Sequence, residues 1–154
     1  VDKETNHFDV LEYGVIKTSP DKDNIERLEI IHKNIQELIE EFEPEQMAVE
    51  ELFFNKNAKT AILVGQARGV ILLAGSPAGI QVAEYTPLQI KQAVVGYGRA
   101  DKMQVQQMVK SLLNLSELPR PDDAADALAV SICHGHVYTA RSGWEERLME
   151  LAMK

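Results

Sequence analysis

At 154 residues the chain is long enough for one domain with a proper core. Apolar residues make up 45% and charged residues 26%, an ordinary soluble balance, and no apolar run reaches the ~20 residues of a membrane span. The net charge of −8, taken whole, argues against nucleic acid as a partner; yet from Lys56 to Lys110 seven basic residues stand against two acidic ones, leaving that stretch at +5. A local field of this kind still holds phosphates, because charges are screened within about 10 Å.

No signal-peptide pattern precedes the first elements. Cys133 cannot form an internal disulfide and fits a structural thiol in a reducing cytoplasm. The chain begins at Val1 rather than at a methionine, as a fragment or a processed product does.

In chain order, the polar run from Asp2 to Asn6 predicts a hairpin turn, and the loose alternation of Phe8, Val10, Leu11, Tyr13 and Val15 predicts a strand from about His7 to Lys17. Asp23 followed by Glu26 opens a capping box. Ile25, Leu28, Ile31, Ile35, Leu38, Ile39 and Phe42 then recur at helical spacing, opposite an acidic face, until Pro44. Gln46 to Glu50 predicts a short strand whose end carries Glu50, and α/β sheets place ligands just outside the carboxyl ends of their strands.

Asn57 caps a helix from about Ala58 to Ala74, ended by Gly75 and Pro77. Ala61, Gly65 and Gly69 make a stripe of small residues along it, the pattern of a face that another backbone approaches, from a neighbouring helix or a second subunit. Ile80 to Tyr85 is the next strand, and Thr86-Pro87-Leu88-Gln89 is a capping box with proline at the first helical position. That helix carries Lys91 and breaks at Gly96-Tyr97-Gly98; Tyr97 is placed either to stack on a ligand or to pack on its own domain. Asp101 caps a further helix, with Val105, Met108, Val109 and Leu112 inward and Lys102 and Lys110 polar.

Pro119 and Pro121 punctuate the approach to Asp122-Asp123-Ala124-Ala125-Asp126, which begins a helix running through Val130, Ile132 and Cys133. Asp123 and Asp126, three apart, share one face, and nothing bulky stands between them. Two readings remain open here. The acids decorate a helix start, whose partial positive charge favours anions, or they hold a divalent cation together with a carboxylate arriving from elsewhere, for which Glu50 is the candidate. His134 and His136 are two apart on a helix and point to different sides, so they do not make a joint metal site. Arg68 and Gln66 read as helix-surface or interface residues. After His136 the Gly/Ser content predicts a break, followed by a short terminal helix around Trp144, Leu148 and Leu151. The order of elements predicts an α/β domain with a mixed sheet flanked by helices.

Six stretches resemble the RuvC family of Holliday-junction resolvases, in order and in register between about Tyr13 and Val137. They are Ala48-Val49-Glu50-Glu51-Leu52-Phe53, Lys56-Asn57-Ala58, Gly65-Gln66-Ala67-Arg68-Gly69-Val70, Ile90 to Gly98, Ala100 to Gln106, and Asp123 to Ala129. The resemblance implies a ribonuclease H-like fold in one domain over 1–154, with 139–154 as a tail. It implies a cytoplasmic homodimer that binds four-way DNA junctions in recombination and repair, works with a branch-migration complex of the RuvA and RuvB type, and cuts two opposed strands to leave 5′-phosphates. Glu50, Asp123 and Asp126 fall on the family's catalytic carboxylates, which bind two Mg²⁺ per subunit, Mn²⁺ being able to substitute. Lys91 and Lys102 fall on lysines near the scissile phosphate, and Phe53 on an aromatic that engages unpaired bases. Lys56 and Arg99 extend the basic DNA-binding set, and the helix from Ala58 matches the one that pairs subunits.

One departure stands out. The family opens on a central strand with a Gly-Ile-Asp-Pro-Gly-like motif, whose Asp completes the metal site, and nothing in this sequence matches it. The expectation is therefore a chain short of that strand by roughly twenty residues, with weak or absent cleavage and a gap in its sheet or a borrowed strand filling it. A non-cutting junction-binding dimer, or a ribonuclease H-like nuclease acting on RNA, are the alternatives.

Overall fold

A computed structural model describes residues 1–4, 7–51 and 58–152. The chain is α/β and falls into two compact units, Ile16–Glu84 and Val1–Val15 with Tyr85–Lys154.

In the first of these, α1 (Asn24–Phe42) starts as its sequence dictates: the Glu26 amide donates to the Asp23 carboxylate at 2.9 Å, and the Asp23 amide donates back to Glu26 at 3.1 Å. It ends on Glu43, whose φ of 42° is left-handed and whose N–H donates to the Ile39 carbonyl, just before Pro44. β3 (Gln46–Glu50) follows, then α2 (Ala58–Gly75), which packs against α1. β3 is hydrogen-bonded to β4 (Gln81–Tyr85). The end of α2 lies close against β3: a Cβ at Gly75 would stand 3.2 Å from Met47 Cε.

In the other unit, β1 (Asp2–Glu4) and β2 (His7–Asp9) form an antiparallel pair with Lys3 opposite Phe8. The predicted strand from His7 to Lys17 is thus cut to three residues, and the segment expected to be only a turn supplies the partner strand. Residues 10–19 run without regular structure, with Leu11, Tyr13 and Val15 exposed. Alternation fits a pleat but does not make one; a strand persists where a neighbour takes its backbone hydrogen bonds, and here the ladder stops at Asp9. The described strands make two separate two-stranded ladders, β1 with β2 and another in the first unit, in place of one continuous mixed sheet.

The helices of this unit are locally specified. α3 (Pro87–Val95) has Thr86 and Gln89 as a reciprocal cap and ends on Gly96, at φ 88°. α4 (Lys102–Leu112) is capped by Asp101 and Gln104. Both pack on α5 (Asp122–Ala152), and α3 and α4 touch one another. Their shared core comprises Ile90, Val94, Val105, Val109, Leu128, Ile132 and Cys133, of which Val109 and Ile132 are completely enclosed. α5 continues unbroken for 31 residues where a break after His136 was expected. A glycine costs a helix about 1 kcal/mol, and the good helix formers Glu145, Glu146, Arg147, Leu148 and Met149 beyond Gly143 offset it.

Candidate catalytic and DNA-binding site

α5 begins with three carboxylates in little more than a turn: Asp122, Asp123 and Asp126. Ala124 and Ala125 between them are fully buried, which anchors this turn to the core and turns the acids outward. Asp123 is exposed and Asp126 half-exposed. Lys102, the first residue of α4, reaches across to them. Its Nζ lies 3.3 Å from Asp122 and 3.5 Å from Asp126.

A second contact braces the first. The buried Gln106, one helical turn after Lys102, donates through Nε2 to Asp122 at 3.1 Å. That bond, with the Lys102 bond next in weight, holds the Asp122 carboxyl below its ordinary range. The Asp122 hydrogen bond in turn holds the Lys102 ammonium above its ordinary value. Asp122 was read from the sequence only as part of a helix start. Its four-residue spacing to Asp126 was the available signal, since i,i+4 side chains on a helix meet one charge together. Gln106 had no such signal.

Glu50 is exposed at the carboxyl end of β3, where the sequence placed it, in the other unit. Lys91 is half-buried on α3, and Arg99 is exposed in the loop between α3 and α4; neither makes an ion pair among the described residues. Phe53 and Lys56 lie outside the described residues. Tyr97 is 47% exposed and lines an open cleft with Val95, Met103 and Met108, so it packs on its own unit with one side and faces out with the other.

The histidines have separate partners. His134 Nδ1 is 2.8 Å from the Tyr85 hydroxyl, and burial pushes its pKa down. His136 packs edge-on against Phe8, ring centroids 5.3 Å apart. Cys133, the residue before His134, is buried, and burial pushes its thiol up, away from nucleophilic character.

Arg68 was expected at a helix surface or an interface rather than in the catalytic set. Its side chain is 15% exposed, ion-paired with Glu84 and hydrogen-bonded at 2.9 Å to the Glu50 carbonyl. No local pattern announces such a contact, because it joins residues from three elements.

The family model for crossover junction endodeoxyribonuclease RuvC matches residues 1–134, which include every carboxylate and lysine above. The chain belongs to the RuvC family. Relatives named crossover junction endodeoxyribonuclease RuvC include one from Halothermothrix orenii, 60% identical over 94% of this chain and 87% of its own length. Another, from Alkaliphilus oremlandii, is 56% identical over 88% of this chain and 83% of its own. Among solved RuvC structures, that of Thermus thermophilus superposes with a TM-score of 0.80 at 41% identity, over 93% of this chain and 85% of the other. The Thermus thermophilus RuvC in complex with a Holliday junction substrate does so with a TM-score of 0.84, also at 41% identity, over 93% and 86%. The fold is therefore that of the RuvC structures, which are ribonuclease H-like. Among the described residues, no helix is long and apolar enough to cross a membrane.

Proposed function

We propose that the chain is a structure-specific endodeoxyribonuclease that resolves four-way DNA junctions in recombination and repair, cutting opposed strands and leaving 5′-phosphates. The observation that carries this reading is the likeness to the RuvC held on a Holliday junction substrate. The chain acts as one resolvase domain with residues 139–154 as a tail, in the cytoplasm, beside a branch-migration complex of the RuvA and RuvB type.

Glu50, Asp123 and Asp126 hold the metal. Their donor set is all oxygen, all three residues reach solvent, and the acidic edge of α5 already draws a cation, the Lys102 ammonium. A hard divalent ion such as Mg²⁺ suits that chemistry, with two per subunit and Mn²⁺ as a substitute. When bound, it supplies the Lewis acidity that phosphodiester hydrolysis requires. Lys102 adds positive charge where negative charge develops on the phosphate, and Asp122, braced by Gln106, keeps it beside the acids. Lys91 serves the same phosphate. Arg99 and Lys56 hold the DNA backbone, and Phe53 stacks on a base left unpaired at the junction.

The working form is a homodimer paired through α2. Supporting this, Ile62, Leu63, Val64 and Leu73 are exposed on that helix, and a Cβ added at Gly69 meets nothing within 4 Å.

The test is incubation of the full-length protein with a synthetic four-way junction and Mg²⁺, beside linear DNA duplex and RNA. Paired symmetric nicks confined to the junction are expected, and Glu50→Gln and Asp123→Asn should abolish them while sparing junction affinity. Junction binding without any nicking would make the chain a non-cutting binder, and wild-type nicking by both variants would sink the metal-site assignment.

A further inference from the structure

α2 is apolar nearly all round, and Arg68 sits in its second half with a side chain only 15% exposed. A guanidinium in such a place is costly unless its donors are met. Two groups meet them. Nη2 pairs with the Glu84 carboxylate on β4, and Nη1 donates to the backbone carbonyl oxygen of Glu50, 2.9 Å away, at the last residue of β3. One planar fork thus binds the ends of two neighbouring strands to the helix behind them.

The contact to Glu50 falls on the last residue of β3, where the strand ends. Pinning that carbonyl restricts ψ of Glu50, and with it the direction in which Cα sends the side chain. The fork geometry matters, because a guanidinium presents several donors at fixed angles whereas an ammonium is a single point. Glu84 supplies the counter-charge, so Arg68 reaches Glu50 through a neutral oxygen. We infer that Arg68, with Glu84 as its counter-ion, is a positioning residue that fixes the strand-end backbone from which Glu50 presents its carboxylate to a divalent cation. This rests on the reading of Glu50 as a metal ligand. Arg68 itself touches neither metal nor DNA.

Groups that orient a metal ligand typically cost 10–100-fold in metal affinity when removed. The experiment is a Mn²⁺ titration of the full-length protein without DNA, free Mn²⁺ being read by electron paramagnetic resonance, on wild type, Arg68→Ala, Arg68→Lys and Glu50→Gln. Thermal unfolding and junction affinity are recorded for each. Arg68→Ala should weaken Mn²⁺ binding by about tenfold or more and raise the Mg²⁺ concentration for half-maximal cleavage in parallel, with junction affinity unchanged. Arg68→Lys keeps the charge opposite Glu84 but not the fork; it should fold like wild type and still bind Mn²⁺ more weakly. Should Arg68→Ala fail to fold, the lysine variant decides alone. If Arg68→Lys binds Mn²⁺ like wild type while Glu50→Gln does not, Arg68 is structural and the inference falls, leaving the metal site intact. If Glu50→Gln binds like wild type, the ligand assignment fails and the inference with it.

Discussion

The exposed face of α2 gives the most direct test of subunit pairing. Ile62, Gly69 and Leu73 lie at spacings of seven and eleven residues, so they line one face of the helix. Ile62 is 63% exposed and Leu73 62% exposed. Full burial of such a side chain contributes about 1.5–3 kcal/mol, so covering the remaining three-fifths is worth about 1–2 kcal/mol for each. A symmetric interface counts every residue twice. Ile62→Ser or Leu73→Ser should therefore weaken the dimer by about 2–4 kcal/mol, one to three orders of magnitude in its dissociation constant. Gly69→Ala separates the interface from the fold. It adds a methyl to open space on a helix, which should stabilise the monomer by up to about 1 kcal/mol, and it places that methyl where the partner helix must approach. Sedimentation velocity over a concentration series measures dimerisation, and thermal unfolding under monomeric conditions measures the fold. A dissociation constant unchanged in both serine variants would refute pairing through this face. So would a dimer tightened by Gly69→Ala.

Three further outcomes are expected. Asp122→Asn should lower cleavage several-fold at saturating Mg²⁺ while leaving junction affinity alone. Because its carboxyl is held below the ordinary 3.8, its contribution to stability is present above that pH and lost as pH falls through the folded-state value, so unfolding curves of wild type and variant should converge in acid. Burial lowers the pKa of His134 from 6.5, so the unfolded chain takes up the proton first; stability should fall as pH drops through and below 6.5, less steeply in His134→Asn, as followed by thermal unfolding. Gly96→Ala places a Cβ at φ 88° with no neighbour within 4 Å, a purely conformational cost of about 1–2 kcal/mol, and should lower the unfolding midpoint by about 2–8 °C.

What the sequence disclosed was what is decided locally. The caps at Asp23, Thr86 and Asp101 each satisfy backbone donors a few residues away, and all three start helices where they were read. Glu50 ends its strand as expected, because a short apolar run between Pro44 and two acids leaves little choice of register. The segment from Val10 to Lys17 was misread because its alternation says what a strand would look like and is silent about who pairs with it. The break expected after His136 failed for the opposite reason: a local penalty of about 1 kcal/mol was given too much weight against helix formers on both sides. Arg68 was invisible as a functional residue, since its partners lie 18 and 16 positions away on different strands.

The N-terminus of α5 shows why composition alone misjudges such a protein. Three carboxylates within five residues repel one another, and an overall charge of −8 does nothing to relieve them. The helix dipole offsets part of this repulsion, and the Lys102 ammonium offsets more by standing on Asp122 and Asp126 together. Gln106 orients one of those acids without adding charge. The basic excess between Lys56 and Lys110 is thus not one uniform patch: part of it is committed, Arg68 to Glu84 and Lys102 to the α5 acids. Lys91 and Arg99, which form no ion pair among the described residues, retain their full charge toward a phosphate. Salt should accordingly weaken junction binding through Lys91 and Arg99 more than through Lys102. If Lys102→Ala flattened the salt dependence of binding as much as Arg99→Ala does, that division of charge would be wrong.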